Sequence, residues 1–147
     1  MKPKGVNRVT IAVNDLEKGM DVFSRLLGAT FNPANEEDAA AFGIRVAMSW
    51  DAGIELVAPI PGKESFVRNH LEERGEGLMG VVFLVDDVEE ARSEAEKLGA
   101  QIWHSLDYTQ EQIDQHLQGR FIKYKEYMFS PEGTCGVGPV IGEIEPK

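Results

Sequence analysis

Polar and apolar residues alternate through residues 6–13, where Arg8 and Thr10 share one face of the run. Period-two alternation with many β-branched residues is typical of a β-strand. Asp15, a favoured N-cap residue, follows, and Gly28 supplies a stop. The apolar residues between them recur at helical spacing, at Leu16, Met20, Phe23 and Leu27. The pattern therefore predicts a strand followed by a helix over residues 16–27.

The rest of the first half contains no further long helical pattern. Residues 32–38 form a turn-rich, acidic segment, which predicts a loop. Asp51-Ala52-Gly53 is a hairpin signal between two apolar runs. Three further strands are expected, at residues 29–31, 42–50 and 54–60. Residues 1–61 are thus predicted to form a βαβββ unit.

The second half repeats this pattern. Leu78–Glu89 matches Val6–Glu17, because an apolar run ends at a valine, an Asp follows two positions later, and the next segment closes on Leu-Gly-Ala. Residues 62–77 hold a connecting helix, and residues 78–147 are expected to form a second βαβββ unit. Its strands are predicted at residues 78–85, 101–104, 121–129 and 137–144, with a helix at 88–98.

One insertion distinguishes the second unit from the first. Thr109 and Gln112 have capping-box spacing, which predicts a short helix near residues 109–118. The inserted helix could cover a pocket. The predicted fold class is α+β, with the two units packed into one compact domain.

Composition narrows the function classes. The chain of 147 residues is 42% apolar and has a net charge of −10. This charge opposes sequence-independent binding to nucleic acid, and no apolar run approaches the roughly 18 residues of a membrane span. Met1–Gly5 lacks the apolar core of a secretory signal, so a soluble, cytoplasmic protein is expected. Cys135 is the one cysteine, which excludes an internal disulfide.

The duplicated βαβββ pattern and four local motifs resemble the vicinal oxygen chelate superfamily. This superfamily includes glyoxalase I, extradiol dioxygenases, bleomycin-resistance proteins and methylmalonyl-CoA epimerase, and the chain is most similar to the epimerase-like branch. The motifs are Ile11-Ala12-Val13 with Asp15-Leu16-Glu17, Leu26-Leu27-Gly28, Gly53-Ile54-Glu55-Leu56-Val57, and Arg74-Gly75-Glu76-Gly77-Leu78. The resemblance implies sheets that curl into a cup, a divalent metal held by one residue from each of four strands, and a homodimer.

The four ligand positions that the resemblance implies hold few metal donors. They fall on Arg8, Glu55, Gly80 and Gly142, although a slip of one residue would place Glu143 at the last position. A divalent cation needs several N or O donors, and Arg8 would bring a permanent positive charge. We therefore expect no metal and no other cofactor; a site recruiting Glu55, Glu126, Glu143 and His104 is the alternative.

Arg8 and Glu55 are the first candidate pair. Strand periodicity sends Thr10 and Val57 to the same side as this pair. In the functional interpretation Arg8 holds an anionic or carbonyl oxygen of a ligand, and Glu55 is a general base. In the structural interpretation the pair only fills the space of a lost metal.

The strand at residues 121–129 supplies a second candidate pair. Alternation places Tyr124, Glu126 and Met128 inward, with Glu126 as a second possible base and Tyr124 as its hydrogen-bond donor; a solvated strand face is the alternative. Further ligand-binding candidates come from other strands, with core packing, a bulge or an exposed edge as their alternatives. They are Met48, Trp50, Gly80, Val82, His104 and Gly142.

These residues leave three functions open. The first is a metal-independent protein that binds a small apolar metabolite through an anionic or carbonyl oxygen, with or without proton transfer as an isomerase or lyase. The second is a metal-dependent epimerase or glyoxalase-like lyase. The third is a non-catalytic protein that sequesters a drug or metabolite.

Overall fold

The structure is a computed structural model that describes all residues, 1–147. The chain forms two compact units. The first unit is Arg8–Met79; the second unit is Gly80–Lys147 together with Met1–Asn7. Each unit contains one β-strand, a helix and three more strands, with a further short helix inserted before the last two strands. The α+β class and the two βαβββ units predicted from the sequence are confirmed.

The first unit contains a four-stranded arrangement in the order β2-β3-β4-β1. Strand β1 runs parallel to β4, and the β2–β3 and β3–β4 pairs are antiparallel. Its elements are β1 (Pro3–Ala12, of which Arg8–Ala12 belongs to this unit), α1 (Leu16–Leu27), β2 (Asn32–Pro33), α2 (Glu36–Ala41), β3 (Ile44–Ser49), β4 (Ile54–Pro59) and α3 (Phe66–Arg74).

Helix α1 begins and ends where the sequence predicts. The Asp15 carboxylate accepts the backbone N–H of Lys18 at 3.0 Å, and Gly28 adopts the left-handed conformation (φ 68°) that ends the helix. Gly19 faces the strands, and a Cβ there would lie 3.2 Å from a methyl group of Val13. The helix therefore packs closely against the strands because this position lacks a side chain.

Two predictions for the segment after α1 are wrong. The short strand is β2 at Asn32–Pro33 instead of residues 29–31, and the last three residues of the expected acidic loop, 36–38, belong to helix α2. Acidic residues in a first turn stabilise the positive end of the helix dipole, and the following three alanines have the highest helix propensity. The loop interpretation gave weight to Pro33 and Asn35 and missed these two helix signals.

The two faces of the first unit are packed differently. Helix α1 covers one face, where Val13, Leu16, Ala47, Ile54, Leu56 and Ala58 form a cluster. The opposite face has a second apolar cluster, made of Ala12, Ala39, Ile44, Val57 and Val67, to which α2 and α3 contribute. Strand alternation places Arg8 and Thr10 on this second face, in line with Ala12.

The second unit contains strands in the order β5-β8-β7-β6. Strand β5 is parallel to β8, and the β7–β8 and β6–β7 pairs are antiparallel. Its elements are β5 (Gly77–Val85, of which Gly80–Val85 belongs to this unit), α4 (Val88–Lys97), β6 (Ile102–Asp107), α5 (Gln110–His116), β7 (Phe121–Phe129) and β8 (Val140–Pro146).

Capping residues set the two helices of the second unit. The predicted capping box at the start of α5 is present, because the Thr109 and Gln112 side chains each accept the other's backbone N–H. Asp87 caps α4. Strand β8 begins three residues later than predicted, since Cys135, Gly136 and Gly138 adopt positive φ in a succession of turns. None of the helices is both long and apolar enough to cross a membrane.

Strand β7 separates two environments in the second unit. Tyr127 and Phe129 pack with Val88 and Ala95 of α4 in an apolar cluster. Tyr124 and Glu126 are also buried, and by alternation they lie on the other face of β7. The polar candidates predicted from the sequence are thus on the face opposite α4.

Candidate functional site

The candidate site of the first unit is built around Glu55 on β4. Its neighbour in the parallel register is Thr10, whose hydroxyl donates a hydrogen bond to Glu55 Oε1 at 2.8 Å. Arg8 Nη2 lies 3.5 Å from Glu55 Oε2. Arg8 is 3% exposed, whereas the Glu55 side chain is 15% exposed. The predicted pair is therefore in contact, with the carboxylate as its more accessible member.

Aromatic and apolar side chains complete the surroundings of this pair. The Arg8 guanidinium lies over the Trp50 ring, 5.7 Å from its centroid, and a cation–π contact is worth up to about 2 kcal/mol in a desolvated site. Met48 is the register partner of Glu55 on β3 and is fully buried. Val57 packs in the apolar cluster with Ala12. Met48 and Val57 thus have core-packing contacts, whereas Trp50 contacts the charged group directly.

A network of hydrogen bonds holds the turn that follows Trp50. The Asp51 carboxylate accepts the Ser49 hydroxyl and the Thr30 hydroxyl, the latter at 2.8 Å. The hydrogen bond from Ser49, together with those from Thr30, lowers the pKa of Asp51 to about 2. The turn between β3 and β4 is therefore braced next to the aromatic side chain that covers Arg8.

In the second unit, the Tyr124 hydroxyl donates a hydrogen bond to Glu126 Oε1 at 2.9 Å. Glu126 is 0% exposed, and Gly142 is its register partner on β8. A Cβ at Gly142 would lie 3.3 Å from Glu126 Cγ. The glycine therefore makes the space that the buried carboxylate occupies, which is the reason for a glycine at this position in β8.

The alternative placement of Glu143 is not supported by its contacts. Its carboxylate accepts the backbone N–H of Val88 at 3.2 Å and forms an ion pair with Lys123. It therefore caps the start of α4, while the neighbouring Gly142 faces Glu126. A second ion-pair network lies close by, where Glu89 contacts Lys125 at 2.7 Å. Its hydrogen bond raises the pKa of Lys125 and lowers that of Glu89.

The remaining candidates of the second unit are more scattered. Gly80 precedes the paired segment of β5, whose register with β8 begins at Val82 and Val140. Val82 is fully buried.

His104 and Met128 are register partners on β6 and β7, and the imidazole of His104 stacks on Trp103 with 6.2 Å between the ring centroids. His104 is thus on the Glu126 face of these strands by alternation, two residues from Leu106, the register partner of Glu126.

Tyr108, which contacts Tyr124, was not among the site residues predicted from the sequence. The Tyr108 ring stacks on Tyr124 at 5.7 Å, and its backbone N–H donates to Tyr124 O at 3.1 Å. The centroid of the His116 ring lies 5.6 Å from that of the Tyr108 ring. Tyr108 directly precedes the N-cap Thr109, a position where an apolar side chain commonly packs against the helix. That staple position was the signal available in the sequence.

Comparison with known proteins shows the family to which the chain belongs. The family model of the Glyoxalase/Bleomycin resistance protein/Dioxygenase superfamily matches residues 7–117. The chain belongs to this superfamily. Among curated proteins, no sequence matches the chain.

Solved structures share the fold of this superfamily member over nearly its full length. A methylmalonyl-CoA epimerase from Mycobacterium tuberculosis is 22% identical, with a TM-score of 0.70 over 99% of this chain and 89% of its own. A Streptomyces coelicolor methylmalonyl-CoA epimerase variant in complex with 2-nitronate-propionyl-CoA is 17% identical, with a TM-score of 0.72 over 97% of this chain and 98% of its own. A hypothetical protein from Bacillus halodurans is 18% identical, with a TM-score of 0.69 over 100% of this chain and 96% of its own.

The residues of this superfamily member do not fit the divalent metal that the resemblance implies. Of the four expected ligand positions, Gly80 and Gly142 have no donor side chain, and Arg8 is a permanent cation that contacts Glu55. No group of three or more His, Cys, Asp or Glu side chains is arranged to hold a metal ion. A lone carboxylate beside a guanidinium lacks the donor set that hard cations require.

Proposed function

We propose that this superfamily member binds a small acyl or carbonyl compound without a metal and catalyses proton transfer at the carbon beside its carbonyl group. The observation that supports this most strongly is the Arg8–Glu55 pair, in which a buried cation lies beside a partly accessible carboxylate. Proton abstraction next to a carbonyl needs these two groups, a base for the proton and a positive charge for the oxygen.

The roles follow from accessibility. Glu55 takes the proton from the carbon, the electrons of the C–H bond move to the carbonyl oxygen, and Arg8 offsets the charge of the resulting enolate. Return of a solvent-derived proton to the same face of the carbon gives exchange, and return to the opposite face gives the epimer, so neither outcome consumes another reactant. Glu55 is the favoured base because its side chain retains 15% exposure, whereas Glu126 is fully buried.

The hydrogen-bond geometry supports a ligand-binding role for Arg8. Its 3.5 Å separation from Glu55 is long compared with about 2.8 Å for a strong charge-assisted hydrogen bond. We propose that a ligand oxygen takes the place of this long contact, so that Arg8 keeps a negatively charged partner when the ligand is bound. Thr10 keeps the Glu55 carboxylate oriented during such an exchange, since it bonds the other oxygen.

Solved structures with the same fold suggest the first compound to test. Among them are methylmalonyl-CoA epimerases in complex with methylmalonyl-CoA and with 2-nitronate-propionyl-CoA. Both carry an acidic or anionic centre next to a thioester. We propose acyl-CoA thioesters of this kind as substrates and use methylmalonyl-CoA as the probe.

The test is proton exchange in D2O. The methylmalonyl-CoA hydrogen at C2 is followed by NMR in the presence of the wild type, Glu55→Gln, Arg8→Met and Glu126→Gln. We expect exchange with the wild type, a loss of at least about 100-fold in Glu55→Gln, as for a general base, and little change in Glu126→Gln. Exchange that persists in Glu55→Gln would contradict the assignment, and loss in Glu126→Gln instead would make Glu126 the base.

Sequestration without chemistry is the competing function. Saturable binding of methylmalonyl-CoA with no exchange at C2, weakened by Arg8→Met, would favour it. The same samples therefore separate binding from catalysis.

A further inference from the structure

A cavity of the first unit, partly open to solvent, does not include the Arg8–Glu55 pair. Its volume is about 270 Å³, and it lies among α1, α2 and β3. Neither Arg8 nor Glu55 is among its lining residues, which are mainly apolar and include Leu16, Met20, Phe31, Ala39, Ile44 and Ala47. The cavity has no part in the proton-transfer chemistry proposed above.

The duplication of the chain shows why this space is open. Helices α2 and α5 occupy the same place in their units, between the second and third strands. Helix α5 fills the space beneath it with Ile113 and Leu117, which are almost completely buried. Helix α2 presents Ala39 and Ala40 to the cavity instead. The first unit therefore lacks the large side chains with which the second unit fills its own interior.

The edge of β3 beside the cavity is only partly paired with another strand. Strand β2 pairs only with Met48 and Ala47 of β3, and the register ends at Pro33. The cavity is lined by the next three residues of β3, Ile44–Val46. The chain turns from Pro33 into α2 and so leaves room for an occupant along this edge.

The charges at the cavity favour an uncharged ligand. Only two lining residues are charged, Glu36 and Arg45, and their signs are opposite. The Arg45 guanidinium donates two hydrogen bonds to the Glu17 carboxylate, at 2.6 and 3.2 Å. Because the two charges are opposite, the lining offers no net attraction to an anion or a cation, and the apolar wall cannot replace the hydration of a charged ligand.

We propose that this cavity is a separate binding site for a small uncharged aliphatic or monocyclic aromatic molecule. An enclosed apolar cavity of about 150 Å³ binds benzene, and this cavity of about 270 Å³, which is partly open to solvent, has room for a molecule of that size or somewhat larger. Burial of apolar surface supplies the affinity, at roughly 25 cal/mol for each Å² removed from water.

The test compares three probes of equal chain length, 1-hexanol, hexanoate and hexylammonium. Each is titrated into the full chain while the methyl signals of Met20 and Ile44 are followed by NMR. We expect saturable shifts with 1-hexanol and weaker binding of both charged probes. Absence of saturable shifts with 1-hexanol, or tighter binding of either charged probe, would overturn the proposal.

Two alanine variants provide a matched comparison. Ala40 and its neighbour Ala41 are both exposed, but only Ala40 lines the cavity, so Ala40→Leu places a larger side chain at the cavity and Ala41→Leu repeats the same change outside it. We expect Ala40→Leu to weaken 1-hexanol binding at least about tenfold and Ala41→Leu to change it less than about twofold. Equal affinities in the two variants would refute the site, and Ala40→Met replaces the leucine variant if the latter does not fold.

This proposal stands independently of the proposed reaction. Deuterium exchange at C2 of methylmalonyl-CoA should be unchanged in both alanine variants, because neither residue contacts Arg8 or Glu55. A failure of 1-hexanol to bind therefore leaves the proton-transfer proposal intact, and the reverse also holds.

Discussion

Arg8 and Glu55, on neighbouring parallel strands, form an ion pair of 3.5 Å in which the cation is almost fully buried. Loss of one partner leaves the other charge in a poorly solvated place, which costs about 3–5 kcal/mol when both groups are fully buried. We expect Arg8→Met and Glu55→Gln each to reduce the free energy of unfolding, toward the lower end of this range because Glu55 retains some solvent contact.

A double-mutant cycle measures the interaction free energy of Arg8 and Glu55 separately from the other effects of the two substitutions. The double variant Arg8→Met/Glu55→Gln should lose less stability than the sum of the single variants, by about 0.5–3 kcal/mol. Urea unfolding of the four proteins measures this difference. Strictly additive losses would show that the two side chains do not interact.

Thr10 is expected to act through Glu55. Thr10→Val removes the hydroxyl that donates to Glu55 Oε1 but keeps the shape of the side chain, and Thr10→Ser keeps the hydroxyl. A hydrogen bond to a charged group is worth about 1.5–3 kcal/mol. We therefore expect Thr10→Val to slow exchange at C2 of methylmalonyl-CoA roughly tenfold or more, with recovery in Thr10→Ser. Equal rates in the two variants would argue against a positioning role for the hydroxyl.

Much of the fold could be predicted from the sequence because local patterns dictate it. Helix α1 has a cap, a helical apolar period and a glycine stop, so its bounds follow directly from the sequence. The Thr109 capping box located α5 for the same reason. Helix α2 was missed because its signal is six residues long and lies beside Pro33 and Asn35, which favour turns.

The site could be predicted only in part, because strand alternation gives the face of a residue but not its partners. It placed Arg8, Thr10 and Glu55 on one face, and it placed Tyr124 with Glu126. It could not show that Glu143 turns to the start of α4, since this depends on the register of β7 and β8. The stacking of Tyr108 on Tyr124 likewise depends on tertiary packing.

Gly142 should not tolerate a side chain. A Cβ there would lie 3.3 Å from both Glu126 Cγ and the backbone oxygen of Lys125. Overpacking of this kind costs about 1–3 kcal/mol, so Gly142→Ala should lower the urea midpoint. In a Glu126→Ala background, where Cγ is absent, the same change should cost less. An equal cost in both backgrounds would show that Gly142 does not make room for Glu126.

Asp51 should make stability depend on acid pH. Its pKa is about 2 in the folded protein, against an ordinary value of 3.8, because it accepts hydrogen bonds from Ser49 and Thr30. A lowered folded pKa contributes stability above the unfolded pKa, and this contribution is lost as the pH falls from about 4 toward 2. Asp51→Asn should remove that part of the pH dependence.

Urea midpoints between pH 2 and pH 5 measure this effect. Glu132→Gln, a change at an exposed turn residue, serves as the control and should retain the wild-type slope. If the urea midpoint changed with pH equally in the wild type and in Asp51→Asn, the hydrogen bonds of Asp51 with Ser49 and Thr30 would be excluded as the origin of the pH dependence.

The Arg8–Glu55 pair is proposed to transfer a proton without a divalent metal. The most direct test measures deuterium exchange at C2 of methylmalonyl-CoA in D2O. The protein is first treated with a chelator, and the metal content of the same sample is determined by mass spectrometry. We predict exchange at substoichiometric metal, unchanged when Zn²⁺, Co²⁺, Ni²⁺, Fe²⁺ or Mn²⁺ is added back. One equivalent of tightly bound metal, or exchange that appears only after metal is added, would contradict the account.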